Sequence, residues 1–330
     1  MKKKVITGLL MLAVVFTLTG CGGSTKIMKP YTVMTSDKNV SASSMLPAEA
    51  FEGFAQDLGV VSVSDSADGV NPSAMKNVDA KEIFLAATTD NEILAAKNIY
   101  ETMPPASITK ILTALLTLES GLDLDEKYTL TTDIQVSDPD AQMCGFEVGD
   151  VVSLRTLLYC TLVYSGNDAA NAVASAVIGG DVPAFCRQMN ERAAELGATQ
   201  THFVTPNGLD TPDHYTSAYD LYLIFRECIK YDVFMDAVHQ SSYTAVFERN
   251  GEELSYTYPS TNHYFIDEAD PPKGVTIVGG KTGTTDNAGT CLILYVEDSS
   301  GNGYISLLLG CPDKEVLYDS MTKLLSNLNK

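Results

Sequence analysis

Positive charge is scarce in this chain: 22 lysines and arginines stand against 42 acids among 330 residues, a formal net charge of −20. Such an acidic surface repels phosphate backbones, which excludes nucleic acid as a partner. Anionic lipid headgroups and anionic wall polymer are disfavoured for the same reason. There is no C-x-x-C pair, so neither a zinc ribbon nor a dithiol redox motif is supported. The four histidines, His202, His214, His239 and His263, are scattered and read as surface or loop residues, and no metal or other cofactor is expected. No internal repeat is visible. The apolar stretch 5–18 has 14 residues, short of the about 20 that a spanning helix needs.

That stretch follows Lys2, Lys3 and Lys4, and a basic start before a short apolar core is the layout of a secretory signal. It ends in Leu18-Thr19-Gly20-Cys21-Gly22, which resembles the bacterial lipobox. The resemblance implies a signal peptide over 1–20, cleaved before Cys21, and diacylglyceryl modification of Cys21. The mature chain loses three lysines and no acid, so its formal charge falls to −23. Acyl chains on Cys21 would hold it outside the cytoplasm, at the surface of the bacterial cell membrane. Cys144, Cys160, Cys186, Cys228, Cys291 and Cys311 remain. Their even number invites a disulfide reading, but wide spacing and apolar neighbours favour buried thiols acting as small hydrophobes.

Residues 21–77 are rich in Ser, Ala, Gly and Asp without a sustained period, and read as a tether; 46–63 could hold a short helix and strand. The folded unit is expected over 78–330. A strand over 82–87, a turn at Asp90-Asn91 and a partner strand over 92–96 form a hairpin. After Pro104-Pro105, Ile108, Ile111, Leu112, Leu115 and Leu116 recur at helical spacing until Gly121. Helical patterns cover 154–163, 169–177, 182–196 and 218–230. Strands return at 275–278, 290–296 and 304–309, and a helix closes the chain from about 315. Strands at both ends with helices between imply an α/β fold: a sheet built from both chain ends and an inserted helical subdomain.

Ser-x-x-Lys occurs three times, at Ser73, Ser107 and Ser320. At i and i+3 on a helix the two side chains share a face, so the lysine can take the serine proton. Ser107 and Lys110 open a strongly apolar helix, where the helix dipole favours developing negative charge. Ser73 lies in the tether, and Ser320 reads as a polar residue on a solvated helix face. Ser-x-Asn also occurs three times. Ser300-Gly301-Asn302 suits a hairpin turn, and Ser260-Thr261-Asn262 lies in a Pro-flanked loop. Ser165-Gly166-Asn167 joins two helices of the inserted subdomain, opposite Ser107 across a cleft. Lys281-Thr282-Gly283 occurs once, between glycines that let a substrate backbone pair with a strand edge.

In this order the three motifs are those of the penicillin-binding proteins and class A β-lactamases. Pro105-Ala106-Ser107-Ile108-Thr109-Lys110, Ser165-Gly166-Asn167-Asp168-Ala169, Thr205-Pro206-Asn207-Gly208-Leu209-Asp210, Tyr215-Thr216-Ser217-Ala218-Tyr219-Asp220 and Gly280-Lys281-Thr282-Gly283-Thr284-Thr285 extend the likeness. From about residue 80 the chain resembles the serine D-alanyl-D-alanine carboxypeptidases among the low-molecular-mass penicillin-binding proteins. The resemblance implies a β-lactamase/transpeptidase-like fold and removal of the terminal D-Ala from peptidoglycan stem pentapeptides. Ser107 would be the nucleophile, Lys110 its base, Ser165 a proton relay and Asn167 an orienting amide. Lys281 would supply positive potential, Thr282 a hydroxyl for the terminal carboxylate, Gly283 room for the substrate chain, and Thr284, with Ser107, a backbone N–H to the oxyanion. β-Lactams would acylate Ser107 and leave slowly.

Two departures from the family pattern stand out. Many members continue into an all-β domain and an amphipathic anchor, whereas this chain stops at Lys330; lipid on Cys21 would anchor it instead. Some use an arginine shortly before the Lys-Thr-Gly strand to hold the carboxylate, whereas 250–280 contains only Lys273. A class A-like β-lactamase would need a deacylating Glu-x-x-Leu-Asn loop, and the comparable region reads Thr205-Pro206-Asn207-Gly208-Leu209. A lipid-anchored β-lactam sensor would bring a spanning helix and a cytoplasmic partner. A solute-binding lipoprotein would have no use for a lysine-activated serine, and a zinc peptidase would need clustered ligands. Transfer of the acyl group to an amine is left open.

Overall fold

Strand β2, Glu82–Ala87, carries no polar residue after its first position and is buried along its whole length. A strand that reads as one apolar run, without alternation, is covered on both faces. The computed structural model, which describes residues 68–329, shows what covers it. The signal segment, Cys21 and the tether as far as residue 67 lie outside the described residues.

The main sheet has six strands in the order β1-β3-β2-β10-β9-β8, every neighbouring pair antiparallel. These are β1 (Asp68–Val70), β2, β3 (Ile93–Lys97), β8 (Val275–Thr285), β9 (Gly289–Asp298) and β10 (Gly303–Cys311). On one face Phe84, Ala86, Ile293, Ile305 and Leu307 pack against helices of the middle of the chain. On the other, Ile83, Leu85, Leu292, Leu294 and Leu308 meet Leu317, Met321 and Leu324 of the closing helix. The sheet is therefore assembled from both chain ends, as the strand pattern implies. It begins earlier than residue 78: Asp68–Val70 pairs with β3, and Ala74 is buried in the second core.

Seven α-helices are described: α1 (Lys110–Glu119), α2 (Leu154–Tyr159), α3 (Asn167–Ile178), α4 (Val182–Glu195), α5 (Ala218–Cys228), α6 (Asp232–Val238) and α7 (Lys314–Leu325). The helix expected over 154–163 changes character at Cys160, where one π-helical turn, Cys160–Tyr164, continues it. A second sheet, which the sequence reading lacks, has the order β4-β5-β6-β7: β4 (Lys127–Thr129), β5 (Val151–Ser153), β6 (Ser242–Arg249) and β7 (Glu252–Pro259). Its long hairpin turns at Asn250-Gly251, where both residues have positive φ, 53° and 81°. Asn-Gly between alternating segments is a hairpin signal that could have located it.

One expectation needs correction. Ser320 is not on a solvated face: it is buried, and its hydroxyl accepts from the Asp79 N–H at 3.0 Å, tying the entry to β2 onto α7. His214 lies in a loop, as one of the two alternatives has it, but is buried there and stacked on Phe203. The six described cysteines are all free and buried, in keeping with the thiol reading.

Candidate active site

Pro104-Pro105 ends the extended approach to α1, and the chain enters it through a 3-10 turn, Ala106–Thr109. Ser107 therefore precedes the α-helix proper by one tight turn. Ala106 adopts φ 50°, a left-handed conformation costly for any residue with a Cβ. The strain is held in place from below. Thr109 Oγ1 donates to the Ala106 carbonyl at 2.9 Å and lies 2.8 Å from His214 Nε2. His214 Nδ1 accepts from the Val204 N–H at 3.1 Å, so Nε2 carries the proton and donates to Thr109. Burial pushes His214 down to about 4, which keeps this tautomer neutral. Gly208, at φ +83°, faces the same carbonyl, and a Cβ there would overlap it.

Lys110 is fully buried, and its Nζ meets three groups: Ser107 Oγ at 2.7 Å, Asn167 Oδ1 at 2.9 Å and the Asn207 carbonyl oxygen at 2.7 Å. Two of these can only accept. A neutral amine has two N–H bonds and one lone pair, and this set of partners suits that inventory. The N–H bonds go to Asn167 and Asn207, leaving the lone pair for the Ser107 hydroxyl proton. The electrostatics point the same way, since burial, and then the nearby Lys281 ammonium, push the Lys110 pKa well below its ordinary value. Asn167 is held in the required orientation: its backbone N–H and its Nδ2 both donate to the Gln142 carbonyl, at 2.9 and 3.0 Å.

The π turn ends at Ser165, which takes φ 67° and points into the cleft beside Lys281. Lys281 Nζ donates to Ser165 Oγ at 2.8 Å and to the Thr282 carbonyl at 2.9 Å. Burial pushes the Lys281 pKa down to about 7. Asp168, fully buried at the start of α3, accepts from the N–H groups of Cys144, Gly145 and Phe146 at 2.9 to 3.1 Å, fastening the loop that carries Gln142.

Lys281, Thr282, Gly283 and Thr284 lie within β8, an edge strand of the main sheet. A Cβ on Gly283 would meet Pro105 O at 2.8 Å and Ser107 N at 3.1 Å. The room this glycine provides is thus taken by the turn that carries Ser107, which draws the strand against it. Ser107, Ser165, Asn167, Thr261, Thr282, Gly283 and Thr284 line one cleft of about 620 Å³. Asp210, at its rim, accepts from Thr285 Oγ1 at 2.7 Å and from the Asn287 N–H at 3.1 Å, bracing the β8–β9 turn.

The structure thus brings together Ser107, Lys110, Ser165, Asn167 and the Lys281–Thr284 segment, whereas Cys21 lies outside the described residues. Three participants have no role in the sequence reading. Asn207, although within a motif, acts through its backbone carbonyl and Gln142 likewise, so neither role leaves a side-chain signal. Thr261 lies in the Ser-x-Asn run that reads as a Pro-flanked loop. No group of three or more metal-ligating side chains gathers among the described residues.

A serine whose hydroxyl faces a buried lysine of lowered pKa, beside a strand edge, is equipped for acyl transfer. The profile of the peptidase S11 family, D-alanyl-D-alanine carboxypeptidase, matches residues 68–311, and the chain belongs to that family. It is 30% identical over 268 residues to the D-alanyl-D-alanine carboxypeptidase DacF of Bacillus subtilis, covering 78% of this chain and 64% of that protein. To DacB2 of Mycobacterium tuberculosis, also named a D-alanyl-D-alanine carboxypeptidase, it is 34% identical over 219 residues, 63% of this chain and 67% of the relative. It thus spans about two thirds of the length of these curated relatives. The Streptomyces K15 DD-transpeptidase superposes with a TM-score of 0.68 at 27% identity, covering 76% of this chain and 97% of that one. The fold is that of the penicillin-binding DD-transpeptidases.

Proposed function

We propose that the protein is a serine D-Ala-D-Ala carboxypeptidase acting on peptidoglycan stem pentapeptides. The observation that carries this reading is the partner set of Lys110: two acceptors without protons and one hydroxyl, around a lysine whose pKa burial pushes well below its ordinary value. Ser107 Oγ attacks the carbonyl carbon of the D-Ala-D-Ala peptide bond while its proton passes to Lys110 Nζ. The N–H groups of Ser107 and Thr284 receive the oxyanion; one such donor is worth about 3–4 kcal/mol of barrier. The C–N bond then breaks. The leaving D-Ala nitrogen takes a proton from the Ser165 hydroxyl, which is replenished by the proton Lys110 took from Ser107, so that Lys110 is neutral again. Water attacks the ester with Lys110 again accepting a proton, and the tetrapeptide departs. Lys281 and Thr282 hold the terminal carboxylate. β-Lactams would acylate the same oxygen.

The test is free D-Ala released from a stem pentapeptide by the full chain and by Ser107→Ala. Undiminished release by the variant removes the reading, and covalent penicillin labelling without D-Ala release supports the sensor reading in its place. Transfer of the acyl group to an amine is a second reading, favoured by likeness to the K15 DD-transpeptidase. An added amine acceptor that diverts acyl groups from water would support it.

The lipobox-like run ending at Cys21 supports placing the enzyme outside the cytoplasm as a lipid-anchored protein. Metabolic labelling with a fatty acid tests this: incorporation lost in Cys21→Ala supports the anchor, and unchanged incorporation contradicts it.

A further inference from the structure

Thr261 stands in the cleft wall beside the strand that carries Thr282. Its Oγ1 is 2.6 Å from Thr282 Oγ1, while its backbone N–H donates to the Val163 carbonyl at 3.1 Å, on the arm that carries Ser165. The neighbouring Ser260 N–H donates to Ser241 at 2.8 Å, so the segment is pinned on both sides. No arginine occurs in 250–280, and Arg249 is committed elsewhere, to Asp150 and Glu147. Lys281 and the hydroxyls of Thr261 and Thr282 are thus available to build a carboxylate subsite, with Lys314 also on the cleft wall.

Two hydroxyls hold two protons, and one of them lies between the two oxygens. If Thr282 were the donor, its proton would be spent on Thr261 and a lone pair would face an incoming carboxylate. If Thr261 is the donor, the Thr282 O–H is free to turn to the substrate. An anion selects the second arrangement.

We propose that Thr261 is a positioning residue for the C-terminal carboxylate of the acyl donor: it donates to Thr282 Oγ1 and so aims the Thr282 O–H at the carboxylate. The inference rests on the carboxypeptidase reading above, and assigns the selection of a free carboxyl terminus to a hydroxyl pair assisted by Lys281.

The test compares two peptides ending in D-Ala-D-Ala, one with a free carboxylate and one with a C-terminal amide, on the full chain. Wild type should prefer the acid. Thr261→Val should lower kcat/KM for the acid about fivefold, through KM, and leave the amide nearly unchanged, the range of a hydrogen bond between two neutral hydroxyls. Thr261→Ser should restore the preference. In a Thr282→Val background, Thr261→Val should add little. Thr261→Ala serves in place of Thr261→Val if the latter does not fold. The proposal is overturned if the variants lower both peptides equally, if serine does not rescue, or if the two valine substitutions add independently. Absence of D-Ala release by wild type would instead fail the carboxypeptidase reading itself.

Discussion

Lys110 Nζ lies 2.7 Å from the backbone carbonyl oxygen of Asn207, 97 residues further along the chain. Together with Asn167 Oδ1, that carbonyl takes both N–H bonds of a neutral amine and leaves the lone pair for Ser107. A charged Lys110 could not accept the serine proton, so activity must fail as pH drops through the Lys110 pKa. Replacing the Asn167 amide with a carboxylate stabilises the ammonium and raises that pKa. Asn167→Asp should therefore move the acid limb of kcat/KM to higher pH and depress activity at neutral pH. The pH–rate profile of the variant checks this, and an unmoved acid limb would count against the neutral-lysine base.

Lys281 gives the opposite limb. Burial holds it at about 7, against about 10.4 for an ordinary lysine. Above that value in the free enzyme it loses its charge, and the carboxylate subsite loses its positive potential. The kcat/KM for a peptide with a free carboxyl terminus should decline from about pH 7 upward. A C-terminal amide should lack this decline. A limb near the ordinary lysine value would contradict the assignment.

Thr109 holds the strained Ala106 carbonyl and is itself held by His214. Thr109→Val removes the donor and frees the turn, so the acylation rate should fall about tenfold, with Thr109→Ser restoring it. Stopped-flow acylation by a chromogenic β-lactam reads the effect directly. An acylation rate equal to wild type in Thr109→Val would show that the turn holds itself.

Far from the cleft, Glu82 is buried, accepts from the Ala218 N–H at 2.8 Å, and has its pKa raised by desolvation to about 8. A carboxyl with a raised folded-state pKa keeps its proton while the unfolded chain loses it. Stability is therefore fully present below pH about 4.5 and is lost as pH rises towards about 8. Glu82→Gln keeps an acceptor for Ala218 without the ionisation. Its melting temperature should exceed that of wild type at pH 8 by several degrees and by progressively less towards pH 5. Equal melting temperatures across this range would show that Glu82 is not protonated in the fold.

What was legible in the sequence follows from which physical signals are local. β2 is readable because an unbroken apolar run bounded by polar residues has few other uses, and α1 because its apolar residues keep helical spacing. The three motifs are readable because side-chain chemistry fixes residue types. The contribution of Asn207 and Gln142 is not, because a carbonyl oxygen is common to every residue. His214 looks like a loop residue in the chain, and only the fold lays Phe203 and Thr109 against it. The β6–β7 hairpin is hard to read because β7 is almost wholly exposed and gives little apolar signal, although burial alternates along β6 and Asn250-Gly251 marks the turn. The role of Thr261 depends on a contact across 21 residues, and its short motif alone equally describes a loop.

On the proposed mechanism Ser107 Oγ is the atom acylated, and Lys110 makes it nucleophilic. Mass spectrometry of the full chain quenched during turnover of a D-Ala-D-Ala peptide, or after exposure to penicillin, reads this. One added acyl mass is expected, located on the peptide that contains Ser107, absent in Ser107→Ala and strongly reduced in Lys110→Met. An adduct on any other residue, or full acylation of Lys110→Met at neutral pH, would contradict it.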